Sequence, residues 1–563
     1  MNPVFFEALL VLFAFFLAVV APRFGGVWFG EIQRLALAVS LRRRLAPMAI
    51  GLLTLLSSAA LSTWIVHPLP RLGDEFSYLL AADTFAHGRW TNPPHDLAIH
   101  FESLHIIQNP TYASKYPPAQ GLMLAAGKLV TGRPLAGVWL SVGLATAALC
   151  WMFQAWLPLP WALFGSLLVG FRLSCNYWGQ SYWGGAVAAM GGALLFGGLR
   201  RILEKPHRSD AFLLGAGIAV LANSRPYEGL LAVLAAMGFA GFLVVRRQTP
   251  PIRLLLAKGV LPVFLVLLIT FSGMAVYNQR VTGNPFLMPY EAHDRIYSPA
   301  PMFLWQRQAR PIPTYSHQVL HDFWVNWILK AYLDQRALKP FLVSSVQKIM
   351  FFGLFFLGVV FTVPLLNVRA FLADRWMRFA LLACLFVVGG MLMVPAMLPH
   401  YAAPLTGLIY VLVFDGVRRM RSWQWRGRDS GVAFIRLVPL ICAATAFVTL
   451  QQQMQGRVGS WAYRRAEIAA NLQEEPGLHL VVVRYSPNHI VDQEWVYNDA
   501  DIDKSKVVWA REMDEAHNRV LLDYFINRKV WLLRADESHR EITPYPAPEL
   551  NFPASPTAIK HPR

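Results

Sequence analysis

The sequence predicts a helical protein that crosses a membrane about twelve times and ends in a small α/β domain. Of its 563 residues, 55% are hydrophobic and only 15% are charged, a balance that excludes a disordered chain and differs from that of an ordinary soluble enzyme. Apolar runs of roughly bilayer-crossing length recur along the first 451 positions. The runs cover residues 4–21, 46–66, 134–155, 160–174, 184–199, 211–222, 229–245, 259–276, 342–366, 379–397, 402–417 and 433–451.

The connections between these runs give the orientation. They alternate between strongly basic and mixed composition, and every basic connection falls on the same side of the twelve-span count. Cytoplasmic loops are enriched in lysine and arginine, so the basic face is predicted to be cytoplasmic. The net charge of +18 mostly reflects this topology, and no basic face gathered in one soluble domain indicates a nucleic-acid partner.

Three large segments and both termini then lie on the non-cytoplasmic face. The predicted organisation is a membrane module over 1–451, with outer loops 67–133 and 277–341, a C-terminal domain over 452–545 and a disordered proline-rich tail over 546–563. The four cysteines lie in or beside apolar runs and are predicted to be small core residues. They are Cys150, Cys175, Cys384 and Cys442.

The C-terminal domain is predicted to be α/β. LHLVVVRY (478–485), KVVWARE (506–512) and RKVWLLRA (528–535) have the composition of buried strands, and DEAHNRVLLDYFI (514–526) that of a helix. A strand, a helix and a further strand in this order indicate parallel pairing. EWVYNDADID (494–503) is the candidate segment for contact with an acceptor.

Asp74 and Glu75 are the first candidates for chemistry. They follow the 46–66 run and open a long polar loop. Carboxylates next to hydrocarbon are costly, and such groups mark a reaction site or an ion path. The alternative is that they cap a helix N-terminus. The segment DEFSYLLAADTFAHGRW (74–90) has helical spacing and is predicted to be an amphipathic helix along the membrane surface.

Two cations are candidates for an anion site. Lys115 precedes a proline pair in SKYPPAQG (114–121) and can hold a phosphate as a point charge, or extend to lipid headgroups. Arg225 lies between two apolar runs. Its alternatives are an ion pair with Glu228, three residues away, and an anion site facing a central cavity.

Aromatic and histidine side chains are candidates for binding a sugar or an acceptor. Tyr182 and Trp183, in a short hairpin, are typical of an interfacial aromatic belt and are equally suited to stack on a sugar ring. Tyr290 and His293 come from the second outer loop, which is rich in polar and aromatic residues as binding loops are. His400 lies at another hairpin, where a lone histidine is usually structural.

GDEFSYLLAADTFAHG (73–88), KYPPAQGLMLAAG (115–127) and the span layout to about residue 415 resemble the C-type (GT-C) glycosyltransferases that use polyprenyl-phosphate sugars. The likeness is to the protein O-mannosyltransferase and aminoarabinose transferase superfamily. It implies that Asp74 is the base or acceptor-orienting group, with Glu75 beside it, and that Lys115 binds donor phosphate. Here the motif is Lys-Tyr-Pro-Pro rather than Lys-Pro-Pro, and the first span and the α/β domain depart from the simplest members.

The resemblance implies an inverting glycosyltransferase in a bacterial inner membrane, with its C-terminal domain in the periplasm. The donor is a polyprenyl-phosphate sugar held among membrane lipids, and the acceptor is a hydroxyl of a glycan, a lipid or a protein. Asp74 acts as general base, while Lys115 and Arg225 stabilise the leaving phosphate. No cofactor is predicted. A divalent metal is left open, with Asp83, Asp96 and Glu102 as its candidate ligands.

Two other functions are compatible with the same residues. A transporter or flippase for a lipid-linked sugar uses a similar cavity without making a bond, and a non-catalytic assembly subunit uses its C-terminal domain to bind a partner. The enzyme is favoured because the outer segments are large and asymmetric and no internal repeat of the transporter kind is visible.

Overall fold

A computed structural model describes residues 2–23, 26–308, 311–455, 459–537 and 541–545. It confirms the predicted fold class: a polytopic helical protein with a small sheet near its C-terminus. The predicted disordered tail, 546–563, lies outside the described residues. We call residues 67–133 the first loop, residues 277–341 the second loop and residues 452–545 the C-terminal region.

Every one of the twelve predicted spans contains a helix. By length and composition, nine helices within the described residues can cross a membrane, and the count of twelve spans stays a prediction. The three shorter helices are Leu159–Cys175, Arg208–Ala222 and Arg375–Met391. The nine are Pro3–Val20, Leu45–Val66, Leu135–Trp156, Ala186–Glu204, Pro226–Val245, Ile252–Thr282, Leu338–Phe356, Pro399–Met420 and Ser430–Gln455.

Further helices lie between the spans. Gly26–Ser40 follows the first span, in a connection where the sequence predicted none. Within Leu45–Val66, Ile252–Thr282 and Pro399–Met420 the helix type changes along the span, at the π-helices Ser62–Val66 and Leu256–Val260 and the 3₁₀-helix Pro399–Leu405. The connecting helices are Gly73–Ala86, Ala98–Phe101, Pro118–Thr131, Pro289–Tyr297, Gln318–His321, the π-helix Asp322–Leu329, Lys330–Asp334, the 3₁₀-helix Val363–Leu366 and Val368–Ala373.

One predicted span ends early. The helix in the 342–366 run stops at Phe356, and Gly358 follows with φ of +57°, a conformation that favours glycine. A Cβ at Gly358 would lie 2.5 Å from Oε2 of Glu7, and Glu7 Oε1 accepts a hydrogen bond from Val360 N at 3.2 Å. The glycine lets the chain turn closely around a carboxylate of the first span.

The helix Gly73–Ala86 packs against other parts of the protein on two sides, and its position along the membrane surface stays a prediction. Its Phe76 and Leu80 pack in one core with the C-terminal region. Its Tyr78 and Ala82 pack in another core with the helix Pro118–Thr131. The helix is therefore covered on both faces, because its apolar residues serve two different neighbours.

The C-terminal region has the predicted strands and helix. Its strands are β3 (Leu478–Arg484), β4 (Val507–Arg511), β5 (Arg528–Arg534) and β6 (Ile542–Pro544), after β1 (Ile106–Ile107) and β2 (Ala113–Ser114) of the first loop. Their order in the sheet is β4-β3-β5-β6; the first three are parallel, as predicted, and β6 is an antiparallel edge strand. The helices Trp461–Glu474 and Glu515–Tyr524 complete the region.

The first loop and the C-terminal region share one hydrophobic core. The rings of Phe76 and Tyr497 stack with centroids 4.2 Å apart, and Asp83 accepts a hydrogen bond from Ala500 N at 2.8 Å. The sequence predicted that 494–503 contacts an acceptor. Trp495 is fully buried, however, so the apolar part of this segment is an internal contact of the protein and not a free surface. The first loop and the C-terminal region therefore pack against each other.

Candidate active site

A short hairpin of the first loop brings His105 and Lys115 next to each other. Strands β1 and β2 pair antiparallel, and just beyond them Lys115 N donates to the carbonyl of His105 at 3.3 Å. Ser77 Oγ donates to the same carbonyl at 2.7 Å and contacts Ser114 Oγ at 2.7 Å. The hairpin is thereby attached to the Gly73–Ala86 helix. Lys115 therefore lies near the N-terminus of that helix, where Asp74 is.

Asp74 lies in the first turn of that helix, with its side chain 23% exposed. The hydroxyl of Tyr116 donates a hydrogen bond to Asp74 Oδ1, and Nε2 of His105 lies 3.9 Å from Oδ2. Burial raises the pKa of Tyr116 well above its usual value, and the Asp74 charge adds to the effect, so Tyr116 stays a donor. Asp74 is an oriented carboxylate that is still accessible.

Glu75 faces away from this arrangement. Its carboxylate accepts hydrogen bonds from the backbone N–H groups of Arg71 (2.8 Å), Leu72 (3.2 Å) and Tyr182 (3.0 Å). Burial raises its pKa to about 7, against the opposing effect of these hydrogen bonds. Glu75 therefore has the capping role that was the alternative for the acidic pair, and it also joins the first loop to the 176–185 hairpin.

Lys115 is buried among aromatic rings. Its Nζ lies 4.7 Å from the ring centroid of Tyr290, 5.3 Å from Trp324 and 5.4 Å from Tyr116. No hydrogen bond or ion pair holds the ammonium within the described part of the chain. Burial lowers the pKa of Lys115, while Asp294 and Asp74 partly offset that effect. The cation is therefore held by ring faces, with Asp294 and Asp74 as the carboxylates that favour its charged form.

The second loop completes the enclosure around Lys115. Tyr290 and His293 come from the helix Pro289–Tyr297. His293 is 1% exposed, its ring lies 5.4 Å from Trp324 and 6.3 Å from His105, and burial together with the Lys115 charge lowers its pKa to about 4. A neutral imidazole thus borders the cation.

Arg225 does not form the ion pair with Glu228 that was one of its two predicted alternatives. No such pair exists within the residues that the structure describes. The guanidinium lies instead over the ring of Tyr401, 4.5 Å from the centroid. Arg225 also borders a small cavity together with Tyr78 and Gln120.

Arg225 and Asp74 belong to the same neighbourhood. Burial raises the pKa of Tyr290 well above its usual value; Asp74 raises it further and Arg225 lowers it. Both charges therefore lie within electrostatic reach of one hydroxyl. The ring of Tyr78 stacks on Tyr116 at 4.6 Å.

The predicted sugar-binding aromatics divide by role. Trp183 lies 4.4 Å from the ring of His400, and its Nε1 is buried with no hydrogen-bond partner among the described residues. His400 Nδ1 and the hydroxyl of Tyr177 are 3.1 Å apart. Tyr182 contributes its backbone, which donates to Glu75 and accepts from Gln120 at 3.0 Å.

Several residues of the site were not predicted. His105, Tyr116, Trp324 and Tyr401 come from three separate segments. His105 has φ of +66°, a strained conformation for this residue type, and its Nδ1 is buried without a partner in the described chain. Tyr116 lies inside the lysine–proline motif, and that position was the one available signal for it.

The three acids considered for a metal are far from being one ligand set. Asp83 is occupied by Lys128 and by Ala500 N. Glu102 accepts from Tyr297 at 3.1 Å, and Asp96 is exposed. Among the described residues no group of three His, Cys, Asp or Glu side chains is arranged to hold a metal ion.

Taken together, the site offers a carboxylate that can accept a proton and two cations that can bind an anion. Lys115 lies on the ring of the tyrosine that orients Asp74. A hydroxyl and a phosphate ester can therefore meet between a base and a cation.

Comparison with known proteins gives similarities of low score. No family model matches the sequence, and no curated protein matches it. Among solved structures, ArnT from Cupriavidus metallidurans bound to undecaprenyl phosphate is 14% identical, with 87% of this chain and 92% of that chain covered and a TM-score of 0.47. The Archaeoglobus fulgidus oligosaccharyltransferase AglB, in complex with an inhibitory peptide and a dolichol-phosphate, is 12% identical over 86% and 69% of the two chains, with a TM-score of 0.43. The apo form of the A. fulgidus oligosaccharyltransferase is 11% identical, with 86% of this chain and 69% of that chain covered and a TM-score of 0.46.

Proposed function

We propose that this protein is a membrane-embedded glycosyltransferase that moves a sugar from a polyprenyl-phosphate donor to an acceptor hydroxyl, with inversion at the anomeric carbon. The reaction takes place on the non-cytoplasmic face of a bacterial inner membrane. The acceptor hydroxyl belongs to a glycan, a lipid or a protein.

One observation carries the proposal: Tyr116 joins a base to a cation. Its hydroxyl donates to Asp74, and its ring lies under the ammonium of Lys115 at 5.4 Å. The Asp74 carboxylate stays partly exposed, and the buried Lys115 ammonium forms no ion pair among the described residues. A carboxylate and an ammonium are both costly to keep beside hydrocarbon. Groups of this kind in a cleft are typical of a functional site.

Asp74 is the general base. The acceptor oxygen attacks the anomeric carbon, the bond from that carbon to the phosphate oxygen breaks, and the hydroxyl proton passes to the Asp74 carboxylate. Tyr116 occupies Oδ1 and leaves Oδ2 for the acceptor. Attack on the face opposite the phosphate inverts the anomeric configuration.

Lys115 and Arg225 stabilise the leaving group. The polyprenyl phosphate gains a negative charge as the bond breaks, and fixed cations in a poorly solvated site stabilise that charge strongly. Lys115 suits this role because its ammonium lies against ring faces and forms no ion pair within the described residues. Arg225 borders the adjacent cavity.

The aromatic side chains position the sugar and the acceptor. Trp183 and His400 form one wall next to Arg225, and the unpartnered Nε1 of Trp183 is a donor for a sugar hydroxyl. Tyr290 and His293 form the wall next to Lys115. Tyr182 shapes the site through its backbone contact with Glu75.

The test is sugar transfer by the purified protein in lipid nanodiscs, with a polyprenyl-phosphate sugar as donor and release of polyprenyl phosphate as readout. Asp74→Asn should lower turnover by about 10²–10⁴-fold, the usual contribution of general-base assistance, with unchanged expression and melting temperature. Asp96→Asn, a matched change at an exposed acid of the same loop, should leave turnover unchanged. Normal turnover of Asp74→Asn contradicts the proposed base, and movement of the intact donor between leaflets without release of phosphate favours the transporter instead.

A further inference from the structure

A second cavity lies at the opposite end of the membrane helices. It occupies about 620 Å³ between the helices Pro226–Val245 and Arg375–Met391, a size within the range of about 300–1,000 Å³ typical of small-molecule sites. Its basic residues belong to connections that the charge pattern assigns to the cytoplasmic face. This cleft shares no lining residue with the candidate active site.

The cleft opens sideways, toward the hydrocarbon. Phe242, Leu382 and Phe386 on its walls are all about half exposed. Its floor is closed by Leu243 and Ala383, which are buried. An apolar groove with exposed walls on a membrane helix is covered by lipid, because no other apolar phase is available there.

The mouth of the cleft is basic. Arg246, Arg375 and Arg378 line it, and none of the three forms an ion pair within the described residues. The guanidinium of Arg378 donates to the carbonyl of Leu372 at 3.3 Å, and that of Arg246 lies over the ring of Phe242 at 5.6 Å. Three unneutralised guanidinium groups thus stand at the end of an apolar groove.

We infer that this cleft binds one anionic phospholipid of the cytoplasmic leaflet, with an acyl chain in the groove and the phosphate between the three arginines. Basic pockets between membrane helices on the cytoplasmic side are suited to acidic headgroups. The polyprenyl tail of a donor bound at the opposite face would bring only hydrocarbon here and would give the arginines no partner. The charge of the mouth therefore identifies a lipid whose headgroup lies at this face.

Two glycines allow the groove to be blocked with a matched control. Gly238 and Gly241 lie in the same helix, and a Cβ at either one meets no atom within 4 Å. Only Gly238 lines the cleft. Gly238→Phe places a ring in the groove, whereas Gly241→Phe places the same ring outside it.

The experiment is native mass spectrometry of the full-length protein titrated with phosphatidylglycerol, phosphatidylcholine or undecaprenyl phosphate. We expect one tightly bound phosphatidylglycerol per protein. The triple variant Arg246→Gln, Arg375→Gln, Arg378→Gln should lower its affinity by about tenfold or more, because it removes the charges that attract the phosphate. The charge-matched control Arg421→Gln, Arg426→Gln, Arg428→Gln changes another basic connection and should have little effect.

Gly238→Phe should lower the same affinity, and Gly241→Phe should not. Equal loss in both arginine triples would show a general surface-charge effect and overturn the site. Equal affinity for phosphatidylcholine, or tighter binding of undecaprenyl phosphate than of phosphatidylglycerol, would overturn the assigned occupant. If the cleft triple does not yield folded protein, the two glycine variants decide the matter by themselves.

Discussion

At the scale of single residues, the carboxylates of the neighbours Asp74 and Glu75 have different surroundings. Asp74 turns one oxygen to Tyr116 and leaves the other accessible. Glu75 places both oxygens against backbone donors. Adjacent residues on a helix diverge by about 100°, so one acid can enter the site while the next holds the helix start and a distant hairpin.

Glu75→Gln should therefore cost stability. An amide presents an NH₂ group where the carboxylate has an acceptor, and one backbone N–H of Arg71, Leu72 or Tyr182 then faces a donor. Leaving a buried donor unsatisfied costs about 1–3 kcal/mol, which we expect to see as a lower melting temperature of the purified protein. Asp74→Asn, the isosteric change at the preceding residue, should keep the wild-type melting temperature. Equal melting temperatures for the two variants would contradict the division of roles.

The burial of His293 gives a prediction about pH. An unfolded histidine binds a proton below about pH 6.5, whereas the pKa of the folded one is about 4. Protons therefore favour the unfolded state between these values, and the free energy of unfolding should fall by up to about 3 kcal/mol as pH is lowered from 6.5 to 4. Glu75 has the opposite sign over part of this range, so the variant has to be compared with the wild type.

His293→Gln should show a flatter decline of melting temperature between pH 6.5 and 4 than the wild-type protein. His87→Gln, at a half-exposed side chain of the first loop, serves as the control and should keep the wild-type slope. A wild-type slope in His293→Gln would show that this imidazole does not stay neutral in the folded protein.

At the scale of elements, the helix Gly73–Ala86 connects the active site to the C-terminal region. It carries Asp74 at its start and Phe76 two residues later, where the ring stacks on Tyr497. Arg511 extends from β4 to the carbonyl of Glu102 at 2.7 Å and pairs with the fully buried Glu494. The sheet thus supports the segment that holds the base.

Truncation after residue 455 should abolish transfer rather than only weaken acceptor binding. It exposes the first-loop side of the shared core, including Phe76, Leu80 and Phe101, and removes Ala500, one of the partners of Asp83. We expect rapid tryptic cleavage at Arg71 and Arg89 and loss of donor binding in the truncated protein. Tyr497→Ala, which removes only the stacked ring, should show the same changes to a smaller degree. Retained donor binding with a protease-resistant first loop would contradict the supporting role of the sheet.

At the scale of the whole molecule, the two ends of the membrane part differ. The candidate active site lies beneath the first loop, the second loop and the C-terminal region. The cleft with its basic mouth lies at the other ends of the helices. The charge pattern of the connections predicts which end faces the cytoplasm, and the proposed donor chemistry depends on that orientation.

Labelling from outside intact cells tests the orientation. Arg519→Cys lies on the exposed face of the C-terminal helix Glu515–Tyr524, with the native side chain 73% exposed, and should be modified by a membrane-impermeant maleimide. Ser422→Cys, exposed in a basic connection, should be modified only after permeabilisation. The reverse pattern would invert the topology and place the proposed reaction in the cytoplasm.

The sequence by itself determined the membrane helices, the parallel strands β3, β4 and β5 and the positions of Asp74 and Lys115. These follow from local signals: runs of apolar residues, strand composition and a carboxylate or lysine next to a turn. The tertiary structure alone decided that Tyr116 joins Asp74 to Lys115, that Arg225 meets Tyr401 and not Glu228, and that Phe76 belongs to a core with Tyr497. Such contacts join residues up to some four hundred positions apart, and their energies depend on which faces are buried together. No local pattern encodes that choice, because an apolar face specifies that it must be covered and not which element covers it.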